Sequence, residues 1–385
     1  MAMTFMERLS TLDRSALTLP VRRAVGSQAV EIVNWQCQQI HGGAGDYDTD
    51  ALGVGGIARF TGQGLDQGRQ LSWSLIFKAL PLLRASPDPY RGTRELYAYQ
   101  SGLLDHLPGD IAVPRYLGSV EEPGEASCLW LEDITDEVGK PWPLPRFGLV
   151  ARHFGQLNGV YLSGHALPAA SWLSRRWLRG CVARRADAIA ELATVLDHPW
   201  VRRRFPEESA ERTLRLWAER ETFLHALEQL PQTFCHLDVF PRNLFARSGP
   251  HGRAQTVAVD WAFTGLATLG EEIVPLIWGS IGFFEVALAQ LPALEELVFE
   301  SYLDGLRDAG WHGSRQAVRL GYALAAPLRY GFPRLRTLLT EQHSHPGSEH
   351  IFGRPVGEVV DVWAHLQLGL LRLAEEARET LQGRR

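Results

Sequence analysis

The chain contains few lysines, asparagines and cysteines for its length. Only two of its 39 basic residues are lysine, Lys78 and Lys140, and asparagine occurs only at Asn34, Asn158 and Asn243. Because the composition disfavours these two types, a lysine or asparagine that remains is a candidate for a role that depends on its own side-chain chemistry. The four cysteines form no CxxC pair, which argues against a disulfide framework or a structural zinc site.

Long apolar runs and an excess of positive charge are also missing. No stretch approaches the roughly 18 to 20 apolar residues of a membrane span, and segment 1–14 is too charged for a signal peptide. The net charge of −5 argues against nucleic acid as a main partner. We therefore expect a cytoplasmic protein, a monomer or homodimer, with no nucleic-acid or membrane partner.

The spacing of apolar residues divides the chain into three parts: a lead-in over 1–29, a strand-rich part over 30–139 and a mainly helical part over 140–385. The strand-rich part has predicted strands over 30–40, 57–60, 71–80, 113–120 and 127–134, a turn over 63–67 and a long helix over 92–107. The predicted fold is α+β, with a small antiparallel-sheet N-lobe that carries one long helix, and a larger helical C-lobe.

The most informative spacing is H-x-D-x-x-x-x-N, formed by His236, Asp238 and Asn243. Seventeen residues after Asn243, an apolar strand ends at Asp260, which Trp261 follows. Phosphoryl transfer needs a carboxylate to accept or orient a hydroxyl proton, and Mg²⁺ needs oxygen ligands. Asp238 suits the first role as catalytic base, and Asn243 and Asp260 suit the second.

This pattern resembles the aminoglycoside phosphotransferase and choline kinase superfamily, whose fold is like that of protein kinases. The family pattern is H-G-D-x-x-x-x-N followed by a strand that ends in I-D-W or I-D-F, so the chain departs from it at Leu237. The resemblance implies ATP or GTP and Mg²⁺ as cofactors, with a small hydroxylated molecule as acceptor. We expect His236 to hold the loop by hydrogen bonds, and Trp261 to line the cleft.

The resemblance also implies a nucleotide site in the N-lobe. Lys78 takes the position of the lysine that contacts the α- and β-phosphates, and Glu95 matches the acid that pairs with it. The segment from Leu129 to Ile134, which includes Glu132, resembles the hinge whose backbone groups receive the base. The glycine-rich stretch 42–56 takes the place of the phosphate-covering loop, and no G-x-x-x-x-G-K-[ST] of a P-loop occurs.

Other interpretations of these residues remain open. Asp238 and Asn243 are also typical of a solvated turn, Lys78 of an edge strand and Glu95 of a first helical turn. The acceptor is likewise open between an antibiotic and a sugar or amino alcohol of metabolism, and a catalytically inactive kinase-fold binding protein is the alternative from another class. A cationic acceptor would require acidic groups, for which the sequence offers Glu271, Glu272, Asp304 and Asp308.

Overall fold

The computed structural model describes residues 5–40, 55–80, 88–120, 127–197, 199–249, 252–332 and 353–383. Its N-terminal part contains α1 (Phe5–Thr11), α2 (Arg14–Val25), β1 (Glu31–Ile40), β2 (Gly56–Asp66), β3 (Arg69–Leu80), α3 (Arg94–Gln100), β4 (Ile111–Ala112), β5 (Tyr116–Val120) and β6 (Ser127–Glu132). Five strands form one antiparallel sheet in the order β1-β2-β3-β6-β5. Lys78 lies in the central strand β3, between Ile57 and Leu129 of its neighbours.

The turn predicted over 63–67 is wrong in its position. β2 continues to Asp66, and the chain reverses at Gln67 and Gly68, whose φ angles are 49° and 82°. A two-residue reversal with both residues left-handed matches the twist of the strands that it joins. The pair Gln-Gly is a weaker turn signal than Asn-Gly or Asp-Gly, which is why the sequence placed the turn too early.

The helix predicted over 92–107 is also shorter than expected. α3 ends at Gln100, and Gly102 adopts a left-handed φ of 73°, a conformation that terminates helices. Leu103 and Leu107 still pack against the large core, as their spacing suggested, but they do so from non-helical backbone. Helical periodicity therefore identified the buried positions correctly and the backbone conformation only in part.

The sheet of the N-terminal part has an apolar core on the face that α2 covers. Leu17 and Val21 of α2 belong to the same cluster as Phe60, Phe77 and Trp130 of the sheet. The aromatic rings of this cluster lie close together, with Phe77 and Trp130 separated by 4.7 Å between centroids. Helices of the lead-in thus contribute to the core that holds β3, and with it Lys78, in place.

The C-terminal part is mainly helical. It contains α4 (Leu144–Leu162), α5 (Trp177–Ala183), α6 (Ala186–Thr194), α7 (Pro199–Arg204), α8 (Ser209–Gln229), β7 (Gln232–Cys235), β8 (Leu244–Ser248), β9 (Ala254–Ala258), β10 (Gly265–Thr268), α9 (Ser280–Gly282), α10 (Leu291–Asp308), α11 (Arg315–Tyr330) and α12 (Val356–Gly383). α4 and α10 pack closely at Gly155, where a Cβ would lie only 2.3 Å from the Tyr302 carbonyl oxygen. The predicted two-lobed α+β arrangement is confirmed.

Short strands support the loops that carry the motif residues. β7 pairs with β10, β8 pairs with β9, and β4 runs parallel to β9. The backbone N–H of Val259 donates to the carbonyl oxygen of Asn243 (2.9 Å), which joins the end of β9 to the loop before β8. No helix among the described residues is both long enough and apolar enough to span a bilayer.

Candidate active site

His236 supports the loop that follows β7. It is fully buried, its Nε2 lies 2.9 Å from the carbonyl oxygen of Val259, and its Nδ1 accepts the backbone N–H of Asp238 at 3.1 Å. These partners assign the proton to Nε2, since a carbonyl can only accept and an N–H can only donate. Burial lowers the pKa of His236 to about 4, so the ring is neutral near pH 7. Its two hydrogen bonds connect the backbone at Asp238 to the backbone at Val259.

Leu237 adopts a left-handed backbone conformation, with a φ of 67°, at the position where the resembled family most often has glycine. Its N–H donates to Glu272 Oε1 (2.7 Å), and Arg329 Nη2 donates to its carbonyl oxygen (2.7 Å). The other carboxylate oxygen of Glu272 accepts the N–H of His236 at 2.9 Å. A left-handed residue with a side chain costs about 1–2 kcal/mol, and hydrogen bonds on both sides of the residue hold it there.

Asp238 and Asn243 lie side by side in the loop between β7 and β8. Asn243 Nδ2 donates to Asp238 Oδ2 (2.8 Å) and to the Asp238 carbonyl oxygen (3.0 Å). Arg329 Nη2 is 3.7 Å from Asp238 Oδ1. Burial and the neighbouring charge of Asp260 raise the pKa of Asp238 to about 7, against the opposing effects of Arg329, Arg242 and Asn243. This carboxyl group therefore titrates near neutral pH.

Lys78 joins Glu95 and Asp260 in a second cluster. Its Nζ is 2.5 Å from Glu95 Oε2 and 3.0 Å from Asp260 Oδ1, and the side chains of Lys78 and Glu95 are 14% and 1% exposed. Burial alone would lower the pKa of Lys78, but the charges of Asp260 and Glu95 outweigh it and raise that pKa. Burial acts to raise the pKa of Asp260, but Lys78 outweighs it, so this pKa lies below its usual value.

Asp260 follows β9 in a left-handed conformation, with a φ of 64°. The prediction that Trp261 lines the cleft is wrong, because Trp261 is fully buried and its Nε1 donates to the carbonyl oxygen of Ala258 (3.0 Å). Its ring packs edge-on against His236, with 4.5 Å between centroids. The aromatic residue after the aspartate thus supports the loop from below, because the chain turns sharply at Asp260.

A cavity of about 320 Å³ lies between the sheet and these loops, within the size range of small-molecule sites. It is lined by Lys78, Glu95, Glu132, Ile134, Arg242, Asn243 and Asp260, together with apolar groups that include Ile57, Ile76, Leu131 and Phe245. The structure therefore brings six of the predicted residues to one cavity. Asp238 adjoins it through Asn243, and His236 and Trp261 lie beneath the loop.

The hinge segment has its own charged contacts. Glu132 Oε2 accepts the backbone N–H of Arg115 (3.0 Å), so its side chain is used within the fold. The next residue, Asp133, accepts hydrogen bonds from Arg59 (2.8 Å) and Ser74 (2.5 Å). Most of the glycine-rich stretch 42–56 lies outside the described residues.

The donor set at the cavity fits a magnesium ion. Within the described residues, no group of three or more His, Cys, Asp or Glu side chains could hold a metal by itself. Mg²⁺ typically takes only one or two protein carboxylates and completes its shell with phosphates and water. Both hydrogen bonds of the Asn243 side chain use its nitrogen, so Oδ1 is the atom that would face the metal together with Asp260.

Sequence reasoning missed two arginines and the function of one glutamate. Arg242 lines the cavity and stacks on Phe240 and Phe283, at 4.5 and 4.3 Å from the ring centroids. Arg329 of α11 contacts the loop between β7 and β8, and Glu272 accepts two backbone N–H groups of the same loop. Since 37 of the 39 basic residues are arginine, no single arginine stands out. The only sign in the sequence of the function of Glu272 was its position before an apolar segment.

Comparisons with known proteins identify the family of the chain and agree with its fold. The family model described as the phosphotransferase enzyme family APH matches residues 82–311, more than half of the chain. An aminoglycoside phosphotransferase from Alicyclobacillus acidocaldarius superposes with a TM-score of 0.50 at 14% identity, covering 93% of this chain and 96% of its own. A choline kinase from Cryptosporidium parvum has a TM-score of 0.52 at 11% identity, with coverages of 96% and 97%. No curated protein matches the chain in sequence.

Proposed function

The chain belongs to the phosphotransferase enzyme family APH, as its motifs suggested, and from this premise we propose that it transfers the γ-phosphoryl group of ATP or GTP to a hydroxyl of a small molecule. The observation that carries the proposal is that two clusters of polar side chains meet at one cavity, which Asp238 adjoins through Asn243. One cluster is Lys78 with Glu95 and Asp260, and the other is Asp238 with Asn243. A structural salt-bridge network alone would not require an amide beside a carboxylate that titrates near pH 7.

The nucleotide would lie in the cavity of about 320 Å³. Lys78 would contact the α- and β-phosphates while Glu95 keeps its ammonium group in position. The backbone of Glu132 and Ile134 would receive the base, and Ile76 and Leu131 offer it an apolar surface. Such a division between apolar walls and a few polar groups is typical of small-molecule sites.

Asn243 and Asp260 would hold Mg²⁺ against the phosphates. When bound, the metal supplies positive charge that offsets the charge of the transferring phosphoryl group. Asp260 is suited to this role because its lowered pKa keeps it ionised throughout the neutral range. Its present partner Lys78, 3.0 Å away, could turn to a phosphate oxygen without leaving the cavity.

Asp238 would orient the acceptor hydroxyl and accept its proton. The hydroxyl oxygen forms a bond to the γ-phosphorus, and the bond from that phosphorus to the β,γ-bridging oxygen breaks. The products are a phosphate monoester, a nucleoside diphosphate and a proton on the Asp238 carboxylate. A base works best when its pKa lies near the working pH, and the pKa of about 7 meets that condition.

Replacement of Asp238 by asparagine tests the proposal. We expect Asp238→Asn to lower the transfer rate by about 10²- to 10⁴-fold, the usual contribution of a general base, and to leave the nucleotide-induced rise in melting temperature unchanged. The assay is mass spectrometry on a panel of hydroxylated metabolites and antibiotics, with ATP and GTP tested separately. Asp304→Asn is the matched control, since that side chain pairs with Arg307 on the surface of α10.

The wild-type protein must transfer phosphate to at least one acceptor class. If it binds nucleotide and Mg²⁺ but phosphorylates nothing in the panel, the inactive kinase-fold binding protein becomes the better interpretation. If Asp238→Asn keeps full activity, the assignment of the base is wrong even though the family assignment stands.

A further inference from the structure

The acidic residues that could have received a cationic acceptor are used within the fold. Asp304 pairs with Arg307 at 2.8 Å, and Asp308 pairs with Arg152 at 2.6 Å. Glu272 is buried and accepts the backbone N–H groups of His236 and Leu237. Glu271 is buried as well. Two of these four carboxylates are therefore buried, and the two on the surface of α10 are each paired with an arginine.

The described part of the chain also has a basic groove, which Trp177 and Phe263 line. It has a volume of about 580 Å³ and runs between the start of α3 and the segment that leads into α5. Its lining includes six arginines and one carboxylate: Arg91, Arg94, Arg175, Arg176, Arg179, Arg184 and Asp88. We call it the arginine groove. Its sign is opposite to that of the whole chain, whose net charge is −5.

Two of these arginines build the groove. Arg94 is buried, pairs with Asp88 at 2.6 Å, and donates to the carbonyl oxygens of Trp172 (2.8 Å) and Ala262 (3.1 Å). Its guanidinium thereby ties α3 to both walls of the groove. Arg179 forms ion pairs with Glu221 and Glu228 of α8, which hold α5.

Arg175 and Arg176 differ from these two. Both are exposed, and neither has an ion pair with any carboxylate in the described part of the chain. A guanidinium group keeps its charge at all relevant pH values and matches carboxylate and phosphate oxygens with two parallel N–H donors. These two side chains can therefore bind an anion without breaking a contact of the fold.

The groove reaches the reaction centre through an aromatic edge. Trp177 and Phe263 line it, and their ring centroids are 5.1 Å apart. On the inner side, the guanidinium of Arg329 lies 4.3 Å from the Trp177 ring, and Arg329 Nη2 is 3.7 Å from Asp238 Oδ1. Phe263 follows Asp260 by three residues. The side chains of Trp177 and Arg329 thus connect the groove to the proposed base, Asp238.

We propose that the arginine groove binds an anionic group of the acceptor, a phosphate or a carboxylate, so that the phosphorylated molecule carries negative charge besides its hydroxyl. The inference rests on the proposed kinase function and names the chemical class of its acceptor. Arg175 and Arg176 provide the anion contacts, and Trp177 with Phe263 provides the apolar surface between the anionic group and the hydroxyl. Polycationic aminoglycosides do not fit this arrangement.

Binding of simple anions tests the groove without requiring turnover. Inorganic pyrophosphate and citrate represent the phosphate and carboxylate sources, and each is titrated by calorimetry with the nucleotide site filled by ADP. We expect Arg175→Gln/Arg176→Gln to weaken binding of at least one probe by about 10- to 100-fold, as for the loss of one charge-assisted hydrogen bond. Arg202→Gln/Arg203→Gln on α7, with the same change in charge, is expected to bind like the wild type.

Turnover then tests the acceptor class. Glycerol is compared with glycerate and with glycerol 3-phosphate, and further neutral alcohols with their acidic analogues. We expect higher kcat/KM for the acidic member, and a raised acceptor KM in Arg175→Gln/Arg176→Gln with kcat and the nucleotide KM nearly unchanged. Activity that prefers neutral or cationic acceptors, equally in the wild type and the double variant, overturns the inference and leaves the kinase function standing.

The remaining outcomes separate the two proposals. Probe binding that the double variant loses supports the groove, whereas a failure to phosphorylate any acceptor counts against the proposed function. Equal probe binding by both double variants, or none by the wild type, overturns the groove as an anion site. Heparin retention that the double variant alone loses, without small-anion binding, would assign the groove to a macromolecular partner and also overturn the inference.

Discussion

Asp238 and Asp260 lie at the same candidate site, with side chains that are 9% and 24% exposed, yet they differ in their affinity for a proton. Asp260 has the ammonium group of Lys78 at 3.0 Å, and its pKa lies below the usual value. The nearest described cation to Asp238 is Arg329 at 3.7 Å, and burial together with the charge of Asp260 raises its pKa to about 7. The degree of burial and the distance to a cation thus decide which of the two carboxylates stays ionised.

This difference matches two different tasks. A metal ligand should be ionised at every working pH, whereas a base should gain and lose a proton near the working pH. In the proposed function, the nucleotide side would therefore hold a permanent anion, Asp260, and the acceptor side would hold a titrating one, Asp238.

Removal of the permanent anion should have the largest effect. We expect Asp260→Asn to lower kcat by about a thousandfold, comparable to the loss of a main electrostatic contact in a reaction centre. Unlike Asp238→Asn, it should also abolish the part of the nucleotide-induced thermal shift that depends on Mg²⁺. Thermal scans with nucleotide, with and without Mg²⁺, check this. Equal metal dependence in the two variants would contradict the assignment.

The titrating anion predicts a pH dependence of activity. Below the pKa of about 7 of Asp238, kcat/KM should fall about tenfold per pH unit, because only the ionised base accepts the proton. Stability should change in the opposite direction. Folding raises this pKa from 3.8, so its stabilising contribution is full below about pH 4 and is lost as the pH rises through about 7. Rate profiles and urea unfolding over this range measure both, with Asp238→Asn as the control for the unfolding curve.

Arg329 should act on the titrating side alone. Its charge opposes the rise in the pKa of Asp238, so Arg329→Gln should move the acid limb of the rate profile to higher pH, with up to about tenfold loss at pH 7 and less at pH 9. Arg329→Lys keeps the positive charge and should therefore bring the acid limb part of the way back to its wild-type position. Arg319→Gln, on the same helix but paired with Glu295 and Glu376, is the control. A uniform loss at all pH values would indicate a purely structural role.

The smallest expected effect is the difference in stability between two variants of Leu237. Both Leu237→Ala and Leu237→Gly lose the buried side chain, at about 2–5 kcal/mol for alanine, but only glycine relieves the left-handed conformation. We therefore expect Leu237→Gly to be more stable than Leu237→Ala by about 1 kcal/mol in urea unfolding. The order in most folded positions is the reverse, so a more stable alanine variant would show that the backbone is not strained here.

Much of the site could be predicted because its residues lie at short, fixed intervals. His236, Asp238 and Asn243 occur within eight positions of the chain, and the strand before Asp260 has a clear apolar pattern. Lys78 stood out because the composition almost excludes lysine. These patterns can be recognised in the sequence because each lies within one loop or one strand.

Other features could not be predicted because they depend on contacts between distant parts of the chain. Arg329 reaches Leu237 across 92 positions, and the arginine groove combines the start of α3 with α5 and the residue Phe263. The position of Trp261 depended on the sharp turn at Asp260, which no apolar pattern records. The early end of α3 depended on the conformation of Gly102.

The spacing of residues along strands and loops was enough to predict the phosphotransferase family, the α+β fold and six of the residues that line the cavity. Only the tertiary structure decided which aspartate titrates near neutral pH and which arginines remain exposed beside it. Both properties depend on burial and on distances between charges, and those exist only after remote segments have packed together.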